Sequence, residues 1–376
     1  SPIAALEKLD GDAHVSSGAL KHWLRAASCT RLSSQNLVIQ DSSVLFTVPK
    51  KSDIDRVACK EPEINVALQR SAGNHIRRAL RRVGIDLNDQ TRNQELAYKA
   101  VGLGLATIDL SSASDSISNQ LVFELLPWDW YSLLDDLRVS STTIDGEHHD
   151  FEMFSAMGNG FTFELESLLF WAITRTVMRL SRISGHVSVF GDDIIAPSAI
   201  VPRLIRLFHF LGFRVNEAKT FWTGTFRESC GKHYDRGFDV SPFFVRRPVS
   251  TLPDLINLLN KLLEWSGRGY GFIPDPEVVR FHREYSQFVP RKFWGGVSTD
   301  DPTSLVTGDS PRWMLIPLAK DIDRRKFDDQ AYSHWFMQRE NTDEDISVEP
   351  SRAIAYKAKR RSKGWLSNWT PWLIES

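Results

Sequence analysis

The chain has 376 residues, 42% of them hydrophobic and 25% charged, with 46 Lys and Arg against 47 Asp and Glu for a formal net charge of −1. These globular values exclude a fibrous or low-complexity chain, and bulk charge does not advertise nucleic acid, so any such case rests on local patches. Cys29, Cys59 and Cys230 lie far apart with no CxxC, which excludes a zinc knuckle and points to a reducing cytosol rather than a disulfide framework.

The length suits two or three lobes around one cleft. The longest apolar run, LLFWAI at 168–173, is too short to cross a bilayer. The chain opens SPIAALEKLDG, without Met or a secretory signal, as a processed product or a fragment would.

Residues 1–40 carry little pattern. TVPKKSDIDRVACKEP (47–62) reads as an extended, β-like segment along which Lys50, Lys51, Arg56 and Lys60 recur. It is either a solvated basic edge strand or a set of cations able to neutralise a triphosphate and its leaving pyrophosphate. NHIRRALRRVG (74–84) reads as a helix with Asn74 as N-cap and Gly84 as the stop. Its arginines cover more than one face, as a solvated charged helix does and as an RNA-channel contact would. LATIDLSSASDSISNQLVFELL (105–126) reads as a strand ending near Leu110, a Ser-rich turn and a helix that Asp115 is placed to cap. Residues 138–152 read as a polar hairpin around Asp145-Gly146, with His148 and His149 as loop residues.

SAMGNGFTFELES (155–167) sets Gly158 and Gly160 around Asn159, just before a long helix from about Thr162 to Leu180. Such a turn presents backbone N–H groups to a phosphate, or simply leads tightly into a buried helix. VSVFGDDIIA (187–196) reads as a hairpin with GDD at its tip. Adjacent aspartates repel, which an ordinary turn does not require. A divalent cation removes the objection, and Mg2+ favours one or two carboxylates plus substrate phosphates. Asp109, at a strand end before small residues, is the candidate partner carboxylate, with helix capping as its blander role. Together with Asp192 and Asp193 it would form a two-metal site, clamping the attacking and leaving oxygens of an in-line phosphoryl displacement.

VPRLIRLFHFLGF (201–213) reads as an amphipathic helix closed by Gly212. RVNEAKTFW and FRESCGKHYDRGFDVSPFFVR (226–246) read as strands with turns, and 252–267 and 275–289 as helices. Residues 300–350 are polar with acidic clusters. The tail YKAKRRSKGWLSNWTPWLI is basic, then Trp-rich, with Trp365, Trp369 and Trp372 suited to docking it on the body or to stacking on bases. The pattern is that of an α+β palm with helical attachments.

Basic segment, D-x5-D, Gly-rich loop with helix, GDD hairpin and Lys-bearing strand, in that order, resemble motifs F, A, B, C and D of RNA-dependent RNA polymerases. The wording DLSSASDSIS, MGNGFTFELESLLF, FGDDIIAPS and FRESCGKHYDRGFDVSPFFVR resembles the replicase catalytic (beta) subunit of single-stranded RNA bacteriophages, the leviviruses. The likeness is close from about 45 to 265 and fades toward the C-terminus.

The resemblance implies an α+β right-hand polymerase. Residues 1–104 would be partial fingers with motif F, 105–250 a palm with motifs A–E, 251–300 thumb helices and 301–376 a family-specific extension. It implies that Asp109 and Asp192 bind two Mg2+ ions, with Asp193 in support and Mn2+ able to substitute. Asp115, Thr162 and Glu166 would sense the incoming ribose, whose 2′-OH both donates and accepts. Gly158 and Asn159 would meet the substrate, and Lys50, Arg56 and Lys60 the triphosphate. Lys219, in NEAKT, would be the general acid for pyrophosphate, an exposed strand charge being its blander role. Arg227 and Lys232 would meet the RNA backbone from the motif E hairpin.

The implied activity is template-directed RNA synthesis from ribonucleoside triphosphates, a nucleotidyltransferase reaction that replicates the viral genome by de novo initiation. The implied partners are template and product RNA, host translation elongation factors Tu and Ts and a host ribosomal protein. The setting would be the host bacterial cytoplasm, with no membrane. Phe190 stands where the family often has Tyr; the hydroxyl is lost but the packing body stays, so activity is expected to survive. About 46 residues precede motif F, fewer than is usual, so part of the fingers is expected to be absent.

Three competing readings exist. A reverse transcriptase predicts an aromatic residue policing the 2′ position in place of Asp115 and Thr162. A decayed, non-catalytic RNA-binding palm is opposed by the intact Asp109, Asp192 and Asp193. A two-metal nuclease needs more clustered acids.

Overall fold

The computed structural model describes residues 12–27, 37–50, 54–245, 248–268, 274–296 and 299–307. Lys51, the acidic clusters after 307 and the basic, Trp-rich tail lie outside the described residues. The chain divides into two compact units between Gly237 and Phe238.

In the first unit, β1 (Ala13–Val15) pairs in parallel with β2 (Leu37–Ile39), and α1 (Ser17–Ala27) lies between them in sequence. The basic segment is not one extended run. β3 (Ser43–Pro49) and β4 (Asp55–Lys60) form an antiparallel hairpin, closed where Lys50 N–H donates to Ile54 O at 2.9 Å. α2 (Glu63–Arg82) starts well before the predicted 74. Asn74 is therefore mid-helix rather than a cap. The preceding Gly73 survives inside the helix because a Cβ there would sit 3.2 Å from Gly160 O and from Glu164 Oε2. The predicted stop holds: Gly84 has φ +88°, and Ile85 N–H returns to Leu80 O, as in a Schellman cap.

After α3 (Thr91–Lys99) come β5 (Leu105–Ile108), fully buried, and the short β6 (Leu110–Ser111). Asp115 lies in a one-turn 3-10 helix and caps nothing. Ser118 instead caps α4 (Asn119–Leu125), accepting from Leu121 N–H. α5 (Trp128–Leu137) leads to the polar hairpin of β7 (Ser141–Ile144) and β8 (Glu147–Asp150). His148 and His149 stand on that strand, exposed, rather than in a loop. Positive φ at both Asp145 and Gly146 gives the hairpin its tight turn.

α6 (Thr162–Ser181) is the long helix predicted. β9 (Ser188–Phe190) and β10 (Asp193–Pro197) form the GDD hairpin, and β10 pairs antiparallel with β5, in the order β5-β10-β9. α7 (Val201–Phe210) ends at Gly212, φ +92°, with Phe213 folded back against Phe208 and Phe170. β11 (Arg214–Val215) pairs with β6, and β12 (Phe226–Ser229) with β13 (Lys232–Asp235). One core runs through Val15, Trp23, Ile64 and Leu68 as well as Ile108, Phe161, Phe170, Ile194 and Phe208. Residues on both sides of position 104 therefore fold as one unit.

In the second unit, α8 (Leu252–Gly267) and α9 (Pro276–Ser286) are the two helices predicted. Thr251 and Asp275 cap them, and Leu255, Leu259, Val289 and Phe293 share their core.

Candidate active site

The GDD tip is a two-residue turn, because Asp193 pairs with Phe190. Gly191 is required there. Its φ is +63°, and a Cβ would lie 2.6 Å from the Phe163 ring and 2.9 Å from Glu166 Oε1. The first turns of α6 thus sit directly under the tip, and Gly191 N–H donates to Ser167 Oγ at 2.9 Å. Phe190 meets Phe163 edge to face at 5.0 Å, which is why an apolar ring serves at this position.

Asp109 occupies the break between β5 and β6. The register Ile194↔Ile108 sets it beside the tip. Asn216 holds it twice: Nδ2 donates to Asp109 Oδ2 at 2.8 Å, and the Asn216 N–H to Asp109 O at 2.9 Å. Burial raises the Asp109 pKa, opposed by the Asn216 hydrogen bond and Lys219 and reinforced by Asp192. Asp193 faces another way. Its Oδ1 accepts from Cys230 N–H at 3.1 Å and Ser229 Oγ at 3.2 Å, and burial pushes it up to about 6. The Asp192 carboxylate accepts a hydrogen bond from no described residue, although its charge raises Asp109, Asp193 and Glu166 alike.

Among the described residues no group of three or more His, Cys, Asp and Glu is disposed to hold a metal ion by itself. The donor set suits Mg2+ completed by substrate phosphates and water: two close carboxylates, one without a donor among the described residues.

The Gly-rich loop is fastened to the β4 end. Gly158 has φ +109°, and a Cβ there would lie 2.2 Å from Cys59 O. Cys59 N–H donates to Met157 O at 2.8 Å. The fastening centres on Glu61, a residue the motif reading passed over. Its Oε1 accepts from Asn159 Nδ2 at 2.8 Å, and its Oε2 accepts from Gln69 Nε2 and from Val139 N–H. Gln69 Oε1 in turn receives Gly160 N–H at 2.8 Å. Burial pushes Glu61 up to about 7 against the pull of these donors and Arg138. No local signal marks Glu61 or Asn216, because the contacts that bring them to the site, with Asn159 and Asp109, span 98 and 107 residues of sequence.

A pH dependence follows. Between about 4.5 and about 7 folded Glu61 holds a proton that the unfolded chain has released, so stability falls as pH rises through that window. Glu166, pushed up to about 8 by burial and then Asp192, adds to the same slope. Glu61→Gln should remove up to ~3 kcal/mol of it. The variant should also be ~1–3 kcal/mol less stable overall, because its amide N–H faces another donor. Thermal melts in chelating buffer from pH 4.5 to 8 check this, and an unchanged slope refutes it.

A family model described as RNA replicase, beta-chain, matches residues 3–354. The chain belongs to the RNA replicase beta-chain family.

Among its relatives is the RNA-directed RNA polymerase beta chain of Enterobacteria phage GA, 50% identical over 277 residues, covering 73% of this chain and 52% of the relative. The corresponding chain of Escherichia phage MS2 is 48% identical over 336 residues, covering 84% and 61%. The chain thus spans about half the length of the curated relatives it matches. A remote likeness in structure is the RNA-dependent RNA polymerase of a human picobirnavirus, 12% identical with a TM-score of 0.42, covering 96% of this chain and 79% of that one. Family membership agrees with the α+β right-hand polymerase reading of the motif order.

In this replicase-family chain the remaining motif residues are placed unevenly. Lys50 is at the hairpin turn and Lys60 at the far end of β4, where it pairs with Glu63 at 3.3 Å. Arg56 is exposed between them, ~13 Å of strand from Lys60. The three cations are therefore strung along a hairpin rather than gathered. Asp115 is exposed, whereas Thr162 is buried and donates to Ala156 O at 3.0 Å, and Glu166 is buried beneath the tip.

Lys219 pairs with Glu228 at 3.4 Å. Burial alone would lower its pKa, but Glu228 and Asp109 hold it above the ordinary value. Lys232 stands half-buried on β13. Arg227 differs most from expectation. It is buried, and its guanidinium donates to Leu105 O at 2.8 Å and to Phe226 O at 2.7 Å, with Thr223 O and Gly224 O beside them. With its guanidinium on backbone carbonyls, Arg227 ties the β12–β13 hairpin to β5 and is buried rather than presented at the surface.

Proposed function

We propose that this chain carries the polymerising centre of an RNA-phage replicase, extending an RNA 3′ end by one ribonucleotide at a time on an RNA template. The observation that carries the reading is the pairing of β5 with β10. It brings Asp109 and Asp192 to one sheet end, and among the described residues none donates a hydrogen bond to the Asp192 carboxylate.

In the reaction the RNA 3′ oxygen gives its proton to solvent water and bonds to the α-phosphorus, while the bond from that phosphorus to the α–β bridging oxygen breaks, releasing pyrophosphate. Two Mg2+ ions, or Mn2+, held by Asp109 and Asp192 would supply Lewis-acid charge for both oxygens. Asn216 orients Asp109, and Asp193 pins the hairpin to Ser229 and Cys230. Lys219, kept protonated by its carboxylate neighbours, supplies the proton for pyrophosphate. Asp115, exposed beside the site, and Glu166 suit discrimination of the 2′-OH. Arg56, Lys50 and Lys60 would reach the triphosphate, the hairpin presenting them one at a time. Gly158 and Asn159 act through the shape of the loop.

Template RNA, ribonucleoside triphosphates, host elongation factors Tu and Ts and a host ribosomal protein are the partners proposed, in the host bacterial cytoplasm. None of the described helices is long and apolar enough to cross a membrane.

The test is extension of a primed RNA template by the purified chain, alone and with those host proteins, with ribo- or deoxyribonucleotides. Template-dependent extension by ribonucleotides, abolished by chelation and restored by Mg2+, is expected. Preference for deoxyribonucleotides would favour a reverse transcriptase. RNA binding without extension under every condition would favour a non-catalytic palm.

A further inference from the structure

Residues 167–191 and 194–216, on either side of the GDD aspartates, contain Arg175, Arg179, Arg182, Arg203, Arg206 and Arg214 and not one Asp or Glu. In a chain of net charge −1 this is a marked local imbalance. The fold concentrates it further. Arg175 and Arg179 stand four apart in the C-terminal half of α6, Arg182 caps its end, and Arg203 and Arg206 share a face of α7. All five are exposed. The two stripes meet where Arg203 Nη1 donates to Ser181 Oγ at 3.0 Å. None of the five pairs with a carboxylate among the described residues. Beside them stand Leu180 and Phe210, 76% and 84% exposed, the two most exposed large apolar side chains among the described residues.

We infer that this face of α6 and α7 is a second RNA-binding surface, distinct from the polymerising centre, which grips the phosphate backbone of single-stranded RNA and stacks a base on Phe210. Five guanidiniums without acidic partners complement a polyanion, and Arg suits phosphate by its fork of donors. An exposed ring within a cationic stripe is the arrangement that holds single strands without reading sequence. The site is remote from the chemistry. Gly191 rests on Phe163 and Glu166, near the start of α6, and Arg179 lies thirteen residues on along the same helix, ~20 Å at ~1.5 Å per residue. RNA held here would be a strand entering or leaving the centre, or a distant part of the same molecule. Binding is read directly, so the inference stands or falls separately from the polymerase reading.

The experiment measures binding of a labelled single-stranded oligouridine across a salt series. It compares the wild-type chain, R179Q/R203Q/R206Q, the charge-preserving R179K/R203K/R206K and Phe210→Ala. For the Gln variant we expect at least a tenfold loss of affinity. Its salt slope should be shallower by about 2, three phosphates at ~0.7 each. The Lys variant should keep most of the affinity and the slope. Phe210→Ala should weaken binding severalfold at unchanged slope. Equal affinity and slope in the Gln and wild-type chains would overturn the inference. So would equal loss in the Lys and Gln variants, which would mean a fold effect. Binding of an acidic peptide of residues 341–350 that the Gln variant loses while RNA binding is unchanged would assign the face to acidic protein instead.

Discussion

Asp192→Asn should lower nucleotide addition by roughly 10³-fold while leaving the melting temperature unchanged or slightly raised. The expectation rests on what Asp192 lacks. No described residue donates to its carboxylate, so the fold loses no contact with it. Its charge acts unfavourably on Asp109, Asp193 and Glu166, so neutralising it relieves repulsion in the metal-free chain. Asn keeps the turn geometry but removes the negative oxygen that a hard cation prefers.

Asp193→Ala is the contrast. It leaves Cys230 N–H and Ser229 Oγ without their acceptor, at a cost of ~1–3 kcal/mol, and should lower the melting temperature visibly. Extension rates and melts of the two variants side by side decide the matter. A destabilised Asp192→Asn, or one that retains activity, would remove Asp192 from the proposed metal site.

Gly158→Ala is expected to be the most damaging added methyl group among the described glycines. At φ +109° an L side chain is strained wherever it points, and this one would meet Cys59 O at 2.2 Å. That oxygen belongs to the backbone of β4, which is hydrogen-bonded to β3 and to Met157 O, so it cannot swing aside. Either the loop or the strand must move. Movement of the loop pulls Asn159 from Glu61 and Gly160 from Gln69. The result should be a loss of ~3 kcal/mol or more in stability and ~10²-fold or more in extension rate, since a shift of about 1 Å near reacting groups has that effect. Gly146→Ala supplies the control. Gly146 has φ +87°, but nothing lies within 4 Å of an added Cβ. It should cost ~1 kcal/mol and leave extension unchanged. Similar behaviour of the two variants would mean that the contact with Cys59 does not matter.

Much of the centre was legible from short stretches. The GDD turn declares itself because a two-residue turn between apolar strands favours Gly at its start, and two adjacent acids there raise the question of what offsets their repulsion. Gly84 and Gly212 end their helices as read, because an apolar residue follows each and folds back on the last turn. Helix starts were less visible. α2 runs from Glu63 because Gly73, which reads as a break, is a close-packing position against Gly160 and Glu164. The Lys- and Arg-bearing segment 47–62 shows residue types and extended character but not its fold-back at Lys50, and so read as one run where the structure has a hairpin.

By itself the sequence determined the chemistry on offer: which segments carry acids, cations and glycines, in what order, and hence which family the chain belongs to. Local patterning encodes this much because turns, caps and amphipathic faces depend on neighbours within a few residues. The tertiary structure alone decided what each group is free to do. Of two adjacent aspartates, Asp192 is left open and Asp193 tied down. Arg227 is buried against backbone carbonyls, Glu61 is drawn into the Gly-rich loop, and five arginines from two helices are set on one face. Those outcomes depend on burial and on partners far away in the chain. A buried polar group must find a donor or acceptor wherever the fold provides one, and an exposed charge stays available only where the fold leaves it without a partner.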